Sequence, residues 1–592
     1  MCGFSGEIRF DGAPADAGAV MTMSGVLAPR GPDGSGLVAS GNVAMAHRRL
    51  KIIDLSERGG QPMTDPTLGL TLVFNGCIYN HRELRAELEA RGYGFHSGSD
   101  TEVVLKAWHA WGAEAPKHMN GMFAFAIHER DSGRTALVRD RLGIKPLYLS
   151  MDRACKRLRF ASTLPALLAA GDVDTTIDPM ALQAYITWHA VVPPPLTMLK
   201  GIRKLPPATV AIFEADGRRG DTTYWALSYE RSREDVARSE DDWAEMLHGS
   251  LMSAVKRRMI ADVPVGVLLS GGVDSSLIVG LLAEAGQEAL NTFSIGFEAA
   301  NGELGDEFKY SDIIADHFGT RHHKIFVPSS ELLDALPRTI DSMSEPMVSY
   351  DNVGFYLLSQ EVAKHVKVVQ SGQGADEVFA GYHWYSGLAN SNSPADDYAA
   401  AFFDRDFDEY RKTVREQYLD GHYAEEFVRR QFALPGAEDA VDKALRLDTT
   451  IMLTDDPVKR VDNMMMAWGL EARVPFLDHE LVELAARIPA QHKLADGGKG
   501  ILKTVARKVI PSEVIDRPKG YFPVPALKYL EGPYLEMVRA ALDTDAARQR
   551  GLFRQDYLDE LFANPSEHIT PLRGSKLWQI GLLELWLQSH SV

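Results

Sequence analysis

The chain has 592 residues, of which 45% are hydrophobic and 24% charged, and its formal net charge is −18. This length is too great for one compact domain, and the composition is that of a soluble protein with sizeable hydrophobic cores. The negative charge argues against nucleic acid or an anionic membrane surface as the main partner.

The cysteines and the first residues indicate the compartment. The sequence contains only three cysteines, Cys2, Cys77 and Cys155. An odd, sparse set does not make a disulfide framework, so we expect a reducing, cytoplasmic location. The opening MCGFSGEIRF lacks the basic and apolar regions of a signal peptide. No run of about 18 apolar residues occurs, and we therefore predict no membrane span.

Residues 1–215 consist of short apolar runs divided by glycine and proline, such as LTLVFNG and GMFAFAIHE. Their alternation predicts strands, whereas RELRAELEARG and DTEVVLKAWHAWG have helical spacing. We expect stacked antiparallel sheets with helices outside. Residues 216–240 are polar and rich in turn residues, which predicts a linker.

The pattern changes in residues 241–592. Apolar runs such as VPVGVLL and NTFSIGF alternate with helical segments, which predicts a parallel α/β sheet. Helical patterns dominate from about residue 395 to the end. The prediction is thus a two-domain α/β protein with a helical extension.

The loop SGGVDSS follows an apolar run and precedes a helix. Such a loop directs backbone N–H groups towards one point beside a helix N-terminus, which is a site for anions such as phosphate. Asp274 is a poor phosphate contact by itself but a good Mg²⁺ ligand. A tight turn with a serine cap is the alternative. The proposed phosphate-contacting residues are Ser270, Gly271, Gly272, Ser275 and Ser276.

Cys2 becomes the first residue if the initiator methionine is removed. It would then carry a thiol nucleophile and an α-amine base on one residue. The α-amine has an ordinary pKa near 8, which suits removal of the thiol proton. A cysteine at position 2 can also arise by chance. The interpretation of Cys2 therefore depends on the motifs that accompany it in this half, which are RGPD, HRRL, NGCIYN and GSDTEV.

With these motifs, the N-terminal half resembles the class II glutamine amidotransferase domain, an N-terminal-nucleophile αββα sandwich. The C-terminal half resembles the ATP-pyrophosphatase domain of asparagine synthetases. Further motifs occur in the family's order: RDRLGIKPLY, ADVPVGVLLSGGVDSS and MAWGLEARVPFLD. The resemblance implies an enzyme that hydrolyses glutamine and uses ATP and Mg²⁺ to convert an acceptor carboxylate to a carboxamide. It leaves a homodimer open.

The resemblance assigns the glutamine site by position. Cys2 matches the nucleophile, and the Asn75 side chain with the Gly76 N–H matches the oxyanion hole. Arg49 matches the residue that binds the glutamine α-carboxylate, and Asp100 matches the one that binds its α-ammonium.

The second site is assigned in the same way. Asp274 and Asp376 match two metal-binding aspartates, and Lys499 matches a lysine that stabilises charge on the phosphates and the acyl-adenylate. We expect the loops that carry the two aspartates to meet at the edge of the sheet. The positions that match the nucleotide lining are Leu268, Ile295, Ser371 and Gly372.

Two residues depart from the family's usual pattern. Cys77 replaces a glutamate in NGEIYN, and Gln373 replaces a glutamate in SGEGxDE, close to the acceptor. An amide cannot act as a general base, and it does not attract an ammonium group as a carboxylate does. The strings around Gln373 are most similar to the N-acetylglutaminylglutamine amidotransferases, which make an osmoprotectant from an N-acetylated dipeptide.

Three rival hypotheses remain. One is an asparagine synthetase that uses aspartate. Another is a non-catalytic regulatory protein on a relict scaffold, against which Cys2, Asn75, Asp274 and Asp376 argue. The last is a β-lactam-forming cyclase of similar fold, which needs no ammonia and so would not need Cys2.

Overall fold

The computed structural model describes residues 2–152, 154, 156–298, 305–517 and 530–592. Cys155, expected to be a small buried residue, lies outside these ranges. The strands are β1 (Gly3–Arg9), β2 (Gly34–Ser40), β3 (Val43–Arg49), β4 (Met63–Asp65), β5 (Leu70–Ile78), β6 (Gly121–Glu129), β7 (Thr135–Arg139), β8 (Tyr148–Met151), β9 (Arg157–Ala161), β10 (Arg203–Lys204), β11 (Thr209–Phe213), β12 (Arg219–Thr223), β13 (Val265–Leu268), β14 (Asn291–Phe297), β15 (Arg321–Val327), β16 (Val368–Gln370) and β17 (Glu471–Arg473).

Helices surround the sheets of both halves. In the N-terminal half they are Ala17–Val26, His81–Ala90, Asp100–Trp111, Ala115–His118, Leu164–Ala169 and Pro179–Thr187. From residue 233 to residue 466 they are Arg233–Ala237, Glu240–Arg257, Val273–Glu284, Phe308–Phe318, Ser329–Asp341, Asp351–Val362, Ala375–Val378, Trp384–Leu388, Pro394–Phe402, Phe407–Thr413, Tyr423–Ala433, Ala440–Leu447, the π-helix Asp448–Met452, Leu453–Asp455 and Pro457–Met466. The last group is His479–Arg487, Ala490–Leu494, Gly500–Ala506, Ser512–Ile515, Gly532–Leu542, Asp545–Arg550, Gln555–Ala563 and Lys576–Ser589.

Two six-stranded antiparallel sheets form the N-terminal half. Their strand orders are β10-β8-β9-β1-β3-β2 and β12-β11-β7-β6-β5-β4. Phe4 and Met45 of one sheet pack with Val73 and Leu137 of the other in one buried cluster. Alternating side chains thus fill the space between the sheets, while helices cover the outer faces. This arrangement confirms the predicted αββα sandwich.

The segment 216–240 contains regular structure. Strand β12 pairs with β11 from Thr209↔Thr223 to Phe213↔Arg219, and it extends the second sheet at its edge. All five of its residues are exposed. It therefore has no apolar face that the sequence pattern could reveal.

The C-terminal half contains a five-stranded parallel sheet of order β15-β14-β13-β16-β17. Strand β13 lies between β14 and β16, so the strand order reverses direction between β13 and β16. Open α/β sheets bind ligands at such a switch point. The register aligns Val267 with Gln370. The loops that follow these two strands therefore start side by side, as predicted. Among the described helices, none is long and apolar enough to cross a membrane.

A buried ion pair joins β1 to β9 inside the N-terminal half. Glu7 and Arg159 are direct cross-strand neighbours, and the Arg159 Nε atom lies 2.7 Å from Glu7 Oε2. Both side chains are at most 3% exposed. Removal of one partner would leave a charge without compensation in a low-dielectric environment.

We predict that Arg159→Met destabilises the N-terminal half by about 3–5 kcal/mol, because it leaves the Glu7 carboxylate buried and without its ion pair. The measurement is urea unfolding of the purified protein. Arg218→Met is the matched control, because the Arg218–Asp216 pair is exposed, and we expect it to cost less than about 1 kcal/mol. Equal costs for the two substitutions would contradict the prediction.

Candidate active sites

A small cavity lies where β1 begins and β5 ends. Cys2, Arg49, Gly76 and Asp100 line it, so the structure brings together four of the five residues predicted for glutamine binding and cleavage. The fifth, Asn75, is fully buried beside them and accepts a hydrogen bond from the Cys2 backbone N at 3.0 Å.

The Asn75 side chain has the chemistry of an oxyanion donor. Its Oδ1 atom accepts the hydrogen bond from the Cys2 backbone N–H, whereas its buried Nδ2 has no hydrogen-bond partner among the described residues. A buried amide donor without a partner costs free energy unless a ligand satisfies it. An oxygen atom of a bound substrate would supply that missing acceptor.

Arg49 and Asp100 are held by backbone groups. The Arg49 guanidinium donates to the carbonyl oxygens of Ser56, at 2.7 Å, and Asp54. Asp100 begins the helix Asp100–Trp111 and accepts from the Ile78 N–H at 3.0 Å. Burial raises the pKa of Asp100. The two side chains provide one cationic and one acidic group for a zwitterionic ligand.

The C-terminal half also contributes to this first cavity. Glu471 and Arg473 of β17 line it, and they pair with each other. Burial opposes ionisation of Glu471, but surrounding positive groups that include Arg473 hold its pKa at about 2. Both residues lie in the motif MAWGLEARVPFLD, but the sequence pattern predicts no role for either of them. Cys77 also lines the cavity, and burial raises its pKa to about 12.

A larger cavity of about 500 Å³ lies at the carboxyl ends of β13 and β16. Both small-residue loops contribute to its wall, so they form one site. The predicted residues that line it are Leu268, Ser270, Gly272, Asp274, Ser275, Ile295, Ser371, Gly372, Gln373, Asp376 and Lys499.

Lys499 joins the two loops. Its Nζ atom lies 2.7 Å from Asp274 Oδ2 and 2.9 Å from Asp376 Oδ1. Burial opposes the charge on Lys499, but the two aspartates raise its pKa. Two carboxylates so close to one point fit Mg²⁺, which takes one or two protein carboxylates and completes its shell with water and phosphate.

Gly271 and Ser276 do not line this cavity. Gly271 has φ of +74°, and a Cβ atom there would lie 2.7 Å from the Ser311 backbone N. Ser276 is fully buried within the helix that follows the loop. Gly271 therefore permits the turn and close packing on the helix Phe308–Phe318. The phosphate contacts of Gly271 and Ser276 stay predictions.

Sequence reasoning missed several residues of the wall. Glu307 and Arg517 form a pair at 2.8 Å, and Asp351 pairs with Arg460 at 2.9 Å. Tyr382 donates to Glu377 at 2.5 Å. No spacing rule in the sequence connects Tyr382 to residues 307 or 517. The other missed residues of the wall include Phe355, Asp496 and Lys503.

Buried contacts connect the two cavities. Arg30 donates to the Cys2 carbonyl at 3.3 Å and to Asp462 at 2.9 Å. Burial opposes ionisation of Asp462, but Arg30 and Lys145 hold its pKa below the ordinary value. The Arg473 carbonyl accepts from the Ser371 N–H at 2.9 Å. Strand β17 thus lines the first cavity with its side chains, and its backbone bonds to Ser371 in the wall of the second cavity.

Comparisons with known proteins cover both halves. Residues 246–588 match the family described as "Asparagine synthase", and residues 1–225 match the "Glutamine amidotransferase domain". The chain is 31% identical to asparagine synthetase [glutamine-hydrolyzing] 1 of Bacillus subtilis (strain 168), over all of this chain and 97% of that protein. It is 29% identical to asparagine synthetase B [glutamine-hydrolyzing] of Escherichia coli (strain K12), over 92% of this chain and 88% of that protein.

We predict that alkylation of Cys2 by iodoacetamide accelerates about tenfold per pH unit between about pH 6 and about pH 8.5, without a plateau. Burial raises the pKa of the Cys2 thiol above its ordinary value. The reactive thiolate therefore remains a minor form throughout that range. Mass spectrometry of the Cys2 peptide measures the rate, and a small free thiol is the control. A plateau below pH 7 would contradict the prediction.

Proposed function

This chain belongs to the asparagine synthetase family of glutamine-hydrolysing ligases, and on that premise we propose that its acceptor is N-acetylglutaminylglutamine. The protein is an ATP-dependent carbon–nitrogen ligase with glutamine as amido donor.

At the first site, we assign the attack on the glutamine carboxamide to Cys2. After removal of Met1, the α-amine would take the thiol proton, and Asn75 Nδ2 and the Gly76 N–H would donate to the developing oxyanion. Collapse of the tetrahedral adduct releases ammonia and leaves a thioester. Water hydrolyses the thioester to glutamate and restores the thiol. Arg49 and Asp100 would bind the α-carboxylate and the α-ammonium of glutamine.

At the second site, the acceptor carboxylate attacks the α-phosphorus of ATP and displaces pyrophosphate. Ammonia from the first site then attacks the acyl carbon, AMP leaves, and a carboxamide results. Asp274 and Asp376 would hold Mg²⁺, which neutralises charge on the pyrophosphate oxygens when bound. Lys499 lies between them and would stabilise charge on the leaving groups.

The observation that carries the choice of acceptor is Gln373 in the wall of the second cavity. Free aspartate has an α-ammonium, which an acidic residue at this position would stabilise, whereas an amide gives no such charge. Two nearby carboxylates, Asp351 and Glu307, are already paired with arginines. An acylated amine is neutral and needs no carboxylate partner.

Aspartate is the second candidate, because the relatives from Bacillus subtilis and Escherichia coli are named asparagine synthetases. A single assay distinguishes the two candidate acceptors. Pyrophosphate release is measured with glutamine, ATP and either aspartate or N-acetylglutaminylglutamine.

We predict that the wild-type protein releases pyrophosphate with the acylated dipeptide and shows at least tenfold lower kcat/KM with aspartate. Gln373→Glu should move this ratio towards aspartate by about tenfold, because it restores a negative charge near the α-ammonium; tenfold is about 1.4 kcal/mol. Gln370→Glu does not serve as a control, because Gln370 is buried and donates to Val255. Gln61→Glu is unsuitable for the same reason, because the Gln61 side chain has buried hydrogen bonds. The matched control is Gln555→Glu, because Gln555 forms a hydrogen-bonded pair on an outer helix. Strong release with aspartate alone would contradict the proposal.

We also predict that Asp376→Asn lowers pyrophosphate formation about 100-fold and leaves glutamate formation from glutamine, measured without ATP, within twofold. A loss of 100-fold corresponds to about 2.7 kcal/mol of transition-state stabilisation. Asp496→Asn is the control in the same wall, because Asp496 pairs with Arg507 at the surface, and we expect less than about a threefold effect. An equal fall of both activities in Asp376→Asn would indicate misfolding and contradict the assignment.

A further inference from the structure

A separate cavity of about 90 Å³ lies between the end of the helix Pro179–Thr187 and the start of the helix Lys576–Ser589. Its wall is polar and largely buried. Its wall includes His189, Ser349, Tyr350, Thr570, Ser575 and Gln579.

Three hydroxyl groups in this wall have their acceptor side occupied. Thr570 Oγ1 accepts from the Gly574 N–H at 2.8 Å, and Ser575 Oγ accepts from the Trp578 N–H at 3.2 Å. The Tyr350 oxygen accepts from the Ser575 N–H. Each hydroxyl hydrogen remains available to a ligand, because a hydroxyl both accepts and donates.

His189 adds a fourth donor. Its Nδ1 atom lies 3.1 Å from both carboxylate oxygens of Asp404, which is 1% exposed. Asp404 also accepts from Gln579 Nε2 at 2.9 Å. Among the described residues, the other ring nitrogen, Nε2, has no hydrogen-bond partner. The His189–Asp404 pair carries no net charge when the ring is protonated.

The combination of several donors with no net charge fits a neutral oxygen acceptor, which means an amide or acyl carbonyl. A volume of about 90 Å³ is well above the roughly 10–15 Å³ that a cavity needs to hold one water molecule, so the cavity has room for a small acetamide-like group. A free carboxylate would lack a compensating net positive charge.

This cavity adjoins the larger one. Ser349 lines the small cavity and Asp351 lines the large one. The Arg460 Nη1 atom donates to both side chains, at 2.7 Å from Ser349 Oγ and 2.9 Å from Asp351 Oδ1. Ser349 and Asp351 are two residues apart, so these two parts of the walls lie within roughly 7 Å of each other, and an acylated dipeptide in extended form spans about 10 Å.

We propose that the small cavity binds the end of the acceptor remote from the reacting carboxylate, through the carbonyl oxygen of a neutral acyl-amide group. The inference rests on the proposed function and deepens it. The enzyme would select acceptors by length. Only an acceptor that is long enough places a carbonyl at His189, Tyr350 and Thr570 while its carboxylate lies near Gln373.

The test compares N-acetylglutaminylglutamine with N-acetylglutamine, which is one residue shorter, by pyrophosphate release. The wild-type enzyme should prefer the longer acceptor by tenfold or more. Tyr350→Phe and Thr570→Val should each lower kcat/KM for the longer acceptor about fivefold to twentyfold, mainly through KM, and change the shorter one less than twofold. Glutamate formation and the KM for ATP should not change.

Tyr410→Phe is the matched control. The Tyr410 hydroxyl donates to the Tyr418 carbonyl away from this cavity, so both acceptors should lose equally or not at all. Equal losses for both acceptors in Tyr350→Phe and Thr570→Val, or no loss, would overturn the inference and leave the proposed acceptor intact. Pyrophosphate release by the wild-type enzyme with aspartate and with neither acylated acceptor would overturn the proposed function as well.

Discussion

The parallel pairing of β13 with β16 is the constraint on which the synthetase site depends. The register sets Val267 beside Gln370, so two loops from distant parts of the chain begin at the same edge of the sheet. Lys499 then bonds to one aspartate from each loop and offsets their mutual repulsion. Without that pairing, Asp274 and Asp376 would have no reason to meet, and the cavity would lose both of its proposed metal ligands.

The second structural theme is the dependence of the first cavity on the C-terminal half. The glutamine cavity is completed by Glu471 and Arg473 from the C-terminal half, and Cys2 is connected through Arg30 to Asp462. Ion pairs that are buried in this way are costly to break from one side. The lining of the first cavity is therefore complete only when the two halves dock.

The sequence was sufficient for the layers of both halves, because alternation and loop composition are local signals. It also predicted the residues of both cavities where a motif supplied them, from Cys2 to Lys499. It could not predict Glu471 and Arg473 in the glutamine cavity, because their position depends on docking over 400 residues of chain. Strand β12 escaped notice because an edge strand exposed on both faces has no apolar period. The loop motif could not predict that Gly271 and Ser276 lie outside the cavity lining, because it does not indicate which of its residues face the cavity.

We propose that one protein transfers nitrogen from glutamine at Cys2 to a carboxylate activated at the second site. The most direct measurement supplies glutamine labelled with ¹⁵N in the side-chain amide together with an excess of unlabelled ammonium, ATP and the acceptor. Mass spectrometry of the product then reports the source of its nitrogen. We expect a carboxamide that is almost fully ¹⁵N-labelled with the wild-type protein and unlabelled with Cys2→Ala. A wild-type product whose label is diluted to the level of the ammonium pool would contradict it.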